Sequence, residues 1–296
     1  MNYYELKISI NPEMEDIISD IFFSNFDCEG VVLAEEAYKD LEMTSTTRGT
    51  LRVFLTSFPQ NLKEILHIER ELLKERGFSD EELGSLEIEL EEKENQDWSK
   101  KWKEKWDVTH VTDKISIVQS WLSYTPKENE ITITLDPGCA FGTGTHQTTQ
   151  LCMKALEKYM PKGASVADIG TGSGILAICA IKLGASSAYG CDNDPTVIDV
   201  CIENAQKNGI TETTFELNTA DKITKKYDFV CANILHNILA EIMGDLKNVM
   251  KPGAQMVLSG ILDEKKAVVF EAVQRFNLRV VEILHQDQWI AIVVQN

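Results

Sequence analysis

Two glycine-rich turns stand within one helix length of each other: "FGTGTH", from Phe141 to His146, and "DIGTGSG", from Asp168 to Gly174. In the second, a short apolar strand ending at Ile169 runs into Gly170-Thr171-Gly172-Ser173-Gly174 and then into the helical stretch "ILAICAIKLG". A strand-turn-helix of this kind lets backbone approach a ligand with no Cβ in the way. The spacing is GxGxG, because Ile175 stands where a dinucleotide fingerprint carries its last glycine. Asp168, two residues before the first glycine, would repel a docked pyrophosphate and attract an ammonium group. The next strand ends at Asp192, whose carboxylate can accept from both hydroxyls of a ribose, and "YDFVCAN" ends at Asn233 on the same carboxyl edge. Taken singly, such an Asp can be the cap of the following helix and such an Asn can satisfy a turn. Together, in this order on one sheet, they point to S-adenosylmethionine, a cation, and away from a nicotinamide cofactor.

The first turn precedes the helical run "HQTTQLCMKALEKYM", for which Thr145 is the expected cap and His146 to Thr149 the first turn. Backbone N–H groups there lack intrahelical acceptors and point outward with the positive end of the helix dipole, which suits the methionine carboxylate. The Thr149 hydroxyl would add a donor. Phe141 to Thr145 would then arch over as a lid hinged at Gly142 and Gly144. His146 could act as a base, but a histidine in the first turn of a helix is more often surface. The expected cofactor-binding set is Thr149, Gly170, Gly172, Asp192 and Asn233, with no residue assigned to catalysis and none to a metal.

Two kinds of strand must position these residues. In the first third apolar residues alternate, as in "YELKISI" (Tyr4, Leu6, Ile8, Ile10), "TLRVFLT" and "SLEIELE", so each strand has one wet face. Between them lie "PEMEDIISDIFFSNF", with Pro12 placed for a first helical turn, and "NLKEILHIERELLKERG", with Asn61 as cap and Gly77 as stop. With "GVVLAEE" the order is β-α-β-β-α-β, a ferredoxin-like α+β domain over residues 1–93. The strands of the second half are short and almost wholly apolar, and helices separate them, which means a parallel, doubly wound, Rossmann-like sheet over residues 116–296. The last stretch, "LRVVEILHQDQWIAIVVQN", reads as two strands without a helix between them, hence an antiparallel hairpin closing a seven-stranded α/β sheet. Residues 94–115 join the halves. There Trp98, Trp102 and Trp106 recur every four residues among lysines, as a connector helix packing one face or as a stacking platform.

Composition narrows the partners. The chain has 296 residues and a formal net charge of −18, unsuited to a nucleic-acid backbone and suited to a basic protein, a small molecule or plain solubility. No apolar run is long enough for a bilayer, and "MNYYELKISINPE" does not read as a signal peptide, so a cytoplasmic location is expected. The seven cysteines include no CxxC and the five histidines are scattered, which offers neither a disulfide framework nor a zinc site.

The motifs "DPGCAFGTGTHQTT", "VADIGTGSGILAICAIKLGA", "CDNDP" and "ANIL", with "DWSKKWKEKW" before them, resemble the bacterial ribosomal protein L-eleven methyltransferase family, PrmA-type. The resemblance in motifs spans roughly residues 95 to 296, and the first motif is its specific part. It implies methyl transfer from S-adenosylmethionine to lysine ε-amines and the N-terminal α-amine of a basic large-subunit ribosomal protein. It further implies a first domain that grips this substrate and contacts to the cofactor at Thr149, Gly170, Asp192 and Asn233; a monomer with no direct specificity for nucleic acid is expected beside it. Two positions depart from the family pattern: Gln119, where a proline usually precedes the serine and tryptophan, and His236, where an alanine commonly follows the NIL motif. An amine attacking a sulfonium methyl needs alignment and a neutral nitrogen, so a dedicated base is optional. Glu87, Glu89, Glu91, Glu92 and Glu94 could attract the basic substrate, or form a solvated edge strand. The rival readings are a lysine methyltransferase for another basic protein, a non-catalytic ribosome-binding module and, more distantly, an oxidoreductase.

Overall fold

A computed structural model describes residues 3–11, 14–34, 49–93, 107–136 and 144–296. The chain divides into two compact units, Met1–Trp106 with Pro137–Phe141 and Asp107–Asp136 with Gly142–Asn296. The tryptophan stripe of the connector, Pro12, and the lid residues Phe141 to Thr143 lie outside the described residues.

In the first unit β1 (Tyr3–Ile10), β2 (Cys28–Ala34), β3 (Gly49–Leu55) and β4 (Ile88–Lys93) form an antiparallel sheet in the order β2-β3-β1-β4. Helices α1 (Glu15–Asn25) and α2 (Leu62–Glu75) follow β1 and β3. Alternation drives the packing: Leu6, Ile8 and Ile10 of β1 and Leu51, Val53 and Leu55 of β3 are buried with Ile18 and Phe22 of α1 and with Leu62, Leu66 and Leu73 of α2. The opposite face is not wholly wet, since Glu5 is 1% exposed and accepts from Arg52 Nε at 2.6 Å. Asn61 does stand at the start of α2, but with φ of 58° and no side-chain capping bond, so it marks the boundary without capping it. Gly77 ends the helix as expected, at φ of 102°. A further turn, α3 (Asp80–Leu83), is fastened by a capping box in which Ser79 Oγ accepts from Glu82 N–H and Glu82 Oε2 accepts from Ser79 N–H. Its signature, S-x-x-E, is plain in "SDEE". Of the alternating leucines expected in the last strand, Leu86 lies before it at φ of 52°, and Leu90 is 40% exposed on an edge strand.

The second unit is built on a mixed sheet, which among the described residues has the order β10-β9-β8-β11-β12-β14-β13. Strands β8 (Ser165–Ile169), β9 (Ser187–Asp192), β10 (Thr213–Leu217), β11 (Tyr227–Asn233) and β12 (Met250–Leu262) run parallel, while β13 (Arg279–Gln286) and β14 (Trp289–Gln295) form an antiparallel hairpin. That hairpin turns at Asp287, φ 52°, and β14 slots between β12 and β13. Helices α4 (Gln147–Tyr159), α5 (Ile175–Lys182), α6 (Pro195–Lys207), α7 (His236–Glu241), α8 (Met243–Val249) and α9 (Lys266–Arg275) cover the two faces, each with its own apolar core. Six of the eight residues of α5 are buried, which explains its unbroken apolar run.

A small sheet, β5 (Thr109–His110), β6 (Ile115–Val118) and β7 (Ile131–Thr134), precedes this core. Residues 107–115, expected to belong to the connector, thus belong to the second unit. Val111, Ile115, Ile117, Ile133 and Leu135 join the core formed with α4 and α5, and burying them is what holds the segment there. Asn208 clamps it from the end of α6, donating to Thr134 O at 2.7 Å and accepting from Thr134 N at 2.8 Å. Among the described residues no helix is long and apolar enough to cross a membrane, and the six described cysteines are free thiols.

Candidate functional site

The turn between β8 and α5 is pinned at each of its residues. Gly170, Gly172 and Gly174 have φ of 72°, 52° and 80°, values that side chains strain to reach. A Cβ at Gly170 would strike Ile234 Cγ2. The N–H groups of Gly170 and Thr171 donate to Cys191 O at 2.9 and 3.0 Å, which ties the turn to the end of β9. There the Asp192 carboxylate accepts from Gly172 N–H at 3.0 Å and from Asp194 N–H at 3.1 Å. Asp194 in turn caps α6, its Oδ1 accepting from Thr196 N–H at 2.8 Å, with Pro195 in the first turn. The structure therefore brings Gly170, Gly172 and Asp192 together.

Two supports of this turn escaped the sequence reading. From α6, Cys201 Sγ donates to Gly172 O at 2.9 Å and Asn204 Nδ2 donates to Ser173 O at 2.9 Å. The signal was present: Asn204 falls on the same buried stripe as Val197, Cys201 and Ala205, and a buried amide must find a partner.

Asp168 lies beneath the turn, 1% exposed, with Oδ2 accepting from Thr171 Oγ1 at 2.7 Å. Burial pushes its carboxyl up to about 7; the Thr171 hydroxyl and the Ala177 N–H pull it down, and the charge of Asp192 adds to the rise.

Across the sheet, His146 and not Thr145 caps α4, its Nδ1 accepting from Thr148 N–H at 3.3 Å, while Thr145 O accepts from Gln150 Nε2 at 2.8 Å. The imidazole packs edge-on against Trp289, with ring centroids 4.9 Å apart, and burial lowers its pKa to about 4. Gly144 is equally unlike a hinge: at φ of 82° it is wedged between Ile117 and Ile175, and an added Cβ would strike both. The fully buried Thr149 meets Asn233, whose Nδ2 donates to Thr149 Oγ1 at 3.4 Å. The Asn233 Oδ1 is buried and has no hydrogen-bond partner among the described residues. Ser259, opposite Asn233 on β12, donates to Thr148 O at 3.1 Å and fixes α4 to the strand ends.

These residues fit S-adenosylmethionine. The turn presents backbone where a nucleoside can approach, Asp192 retains lone pairs beyond its two backbone bonds, and the spare Asn233 oxygen suits a cationic or N–H-bearing group. Among the described residues no cluster of three or more His, Cys, Asp or Glu could hold a metal.

Comparison with known proteins agrees with this geometry. A family model described as "Ribosomal protein L11 methyltransferase (PrmA)" matches residues 2–296. A relative of the same name from Brevibacillus brevis is 33% identical over 312 residues, covering 100% of this chain and 99% of its own. Another, from Listeria monocytogenes, is 39% identical over 241 residues, covering 80% of this chain and 76% of its own. A crystal structure of a ribosomal protein L11 methylase from Lactobacillus delbrueckii superposes with a TM-score of 0.61 at 34% identity, covering 64% of this chain and 98% of that one. On a match that runs almost end to end, the chain belongs to the ribosomal protein L11 methyltransferase (PrmA) family, whose cofactor is S-adenosylmethionine.

Proposed function

We propose that the chain transfers methyl groups from S-adenosylmethionine to lysine ε-amines and to the N-terminal α-amine of the large-subunit ribosomal protein its family is named for, holding the cofactor with Thr149, Gly170, Gly172, Asp192 and Asn233. The observation that carries this reading is the buried, unpaired Asn233 Oδ1 on the same strand edge as the glycine turn and Asp192. When bound, the cofactor supplies a methyl group on a cationic sulfur open to attack by a nitrogen. Gly170 and Gly172 admit the nucleoside to the backbone, and the Asp192 carboxylate accepts from the ribose hydroxyls. Asn233 is held at its amide nitrogen by Thr149, which leaves Oδ1 to accept from an amine N–H and turn the nitrogen lone pair inward. No base is required: a lysine amine near 10.4 and an α-amine near 8 both lose their charge more readily when desolvated beside a cation. His146 is occupied as a helix cap.

The sheet order β2-β3-β1-β4 with α1 and α2 supports reading residues 1–93 as a ferredoxin-like domain that grips the substrate, with exposed Glu87 and Glu89 offering negative charge to a basic protein. Residues 94–106 link it in sequence to the catalytic part, which begins at Asp107, and the enzyme works as a monomer. Mass spectrometry of the purified ribosomal protein after incubation with enzyme and cofactor tests the reading. Methyl-sized mass increments are expected with the unaltered chain and not with Asp192→Ala; no increment with the unaltered chain overturns the substrate assignment.

A further inference from the structure

Gln119 is 1% exposed, and neither its Nε2 nor its Oε1 has a hydrogen-bond partner among the described residues. A buried side-chain amide with both ends unpaired is expensive to keep, and a partner that arrives later explains why it stays.

Its place narrows what that partner is. Gln119 directly follows β6, so by strand alternation it lies on the same face as Ile115 and Ile117. Ile117 presses on Gly144 from one side and Ile175 from the other, which puts this face at the point where the approach to α4 meets the start of α5. Gln119 stands one pleat further toward the carboxyl end. The backbone around it is anchored: Ser120 N–H donates to Asp136 Oδ1 at 2.7 Å, and Leu122 N–H donates to Gln119 O at 3.0 Å. The backbone that carries the amide is therefore anchored, on the face it shares with Ile115 and Ile117, and the polar atoms of the amide are unspent.

We propose that the Gln119 amide holds the amino-acid head of S-adenosylmethionine, with Oε1 accepting from the ammonium and Nε2 donating to the carboxylate. A primary amide carries an acceptor and a pair of donors side by side, the complement of a zwitterionic α-amino acid. A substrate amine alone would use Oε1 and leave Nε2 orphaned. The inference rests on the cofactor reading above and adds to it the residue that recognises one end of that cofactor.

Calorimetric titration of the full chain with S-adenosylhomocysteine and with methylthioadenosine tests it, because the two share nucleoside and sulfur and only the first carries the amino-acid head. In Gln119→Leu and Gln119→Met, affinity for S-adenosylhomocysteine should fall about ten-fold or more, the scale of hydrogen bonds to charged groups, while affinity for methylthioadenosine stays within about two-fold. The ligand-free variants should melt no lower than the unaltered chain, since an apolar side chain replaces unpaired polar atoms. Equal losses for both ligands would make Gln119 a packing or lid contact and overturn the proposal, and so would no loss for either. An unaltered chain that binds neither ligand would instead remove the cofactor site itself, and this inference with it.

Discussion

The N–H of Gly172 donates to Asp192 Oδ2 at 3.0 Å, so the floor of the site and the acid at the next strand tip form one unit. The bond sets the height of the turn against β9 and aims the carboxylate, and the same carboxylate is free to take further donors. Asp192→Ala should weaken cofactor binding at least ten-fold, the loss of hydrogen bonds to a charged group being worth roughly 1.5–3 kcal/mol. Calorimetry checks the affinity and a thermal melt checks the fold. Unchanged affinity would detach Asp192 from the cofactor.

The turn is also propped from behind, and that prop can be tested apart from any ligand contact. Asn204→Leu removes the buried bond to Ser173 O that holds the turn, a cost of about 1–3 kcal/mol. We expect KM for the cofactor to rise with kcat little changed, because Asn204 positions the turn and touches no reacting atom. A fall in kcat at unchanged KM would contradict this.

Asp168 makes stability depend on pH in a definite direction. Its carboxyl titrates near 7 in the folded chain against an ordinary value of 3.8, so the folded state holds the proton more tightly than the unfolded one. Its stabilising contribution is complete below about pH 4 and is lost as pH rises through 7. Asp168→Asn keeps a partner for Thr171 Oγ1 and carries no charge. Measured without cofactor, the variant should gain stability on the unaltered chain between pH 5 and pH 8, by on the order of a few kcal/mol at most, read from paired denaturant titrations. A constant difference across that range would show that Asp168 is ionised throughout.

His146 separates capping from catalysis. Asn is a good cap and cannot act as a base, so His146→Asn should retain methyl transfer with the pH profile of the unaltered enzyme, while losing the ring contact with Trp289. His146→Ala, which loses both cap and ring, should be less stable than His146→Asn by about 1 kcal/mol in denaturant titration. Loss of turnover in the Asn variant at full cofactor affinity would restore His146 as a base.

Gly144 offers a packing test. An alanine there must adopt φ of 82° and push against Ile117 and Ile175, so Gly144→Ala should cost about 2 kcal/mol or more, read as a lower melting temperature. A flexible hinge would tolerate the methyl group, and an unchanged melt would favour that view.

Much of this protein was settled along the chain itself. Alternation marked β1 and β3, unbroken apolar runs marked β8, β11 and β14, and Gly170 to Gly174, Asp192 and Asn233 could be placed at strand tips and helix starts from type and spacing alone. These are local matters: a pleat repeats every two residues, a left-handed turn needs glycine, and a cap needs a short polar side chain. The tertiary structure decided the rest, because burial and hydrogen-bond satisfaction depend on groups far apart in sequence. Only packing against Trp289 made His146 a nearly apolar cap, only the turn folded over it buried Asp168, and only neighbours from β6 and α5 locked Gly144. The strand pattern likewise could not say that residues 107–115 join the second unit or that β14 lies between β12 and β13, since those places are won by competition for the same core. Which atoms are left over when their buried neighbours have paired is a property of the whole fold, and here they include the Asn233 oxygen and both ends of the Gln119 amide.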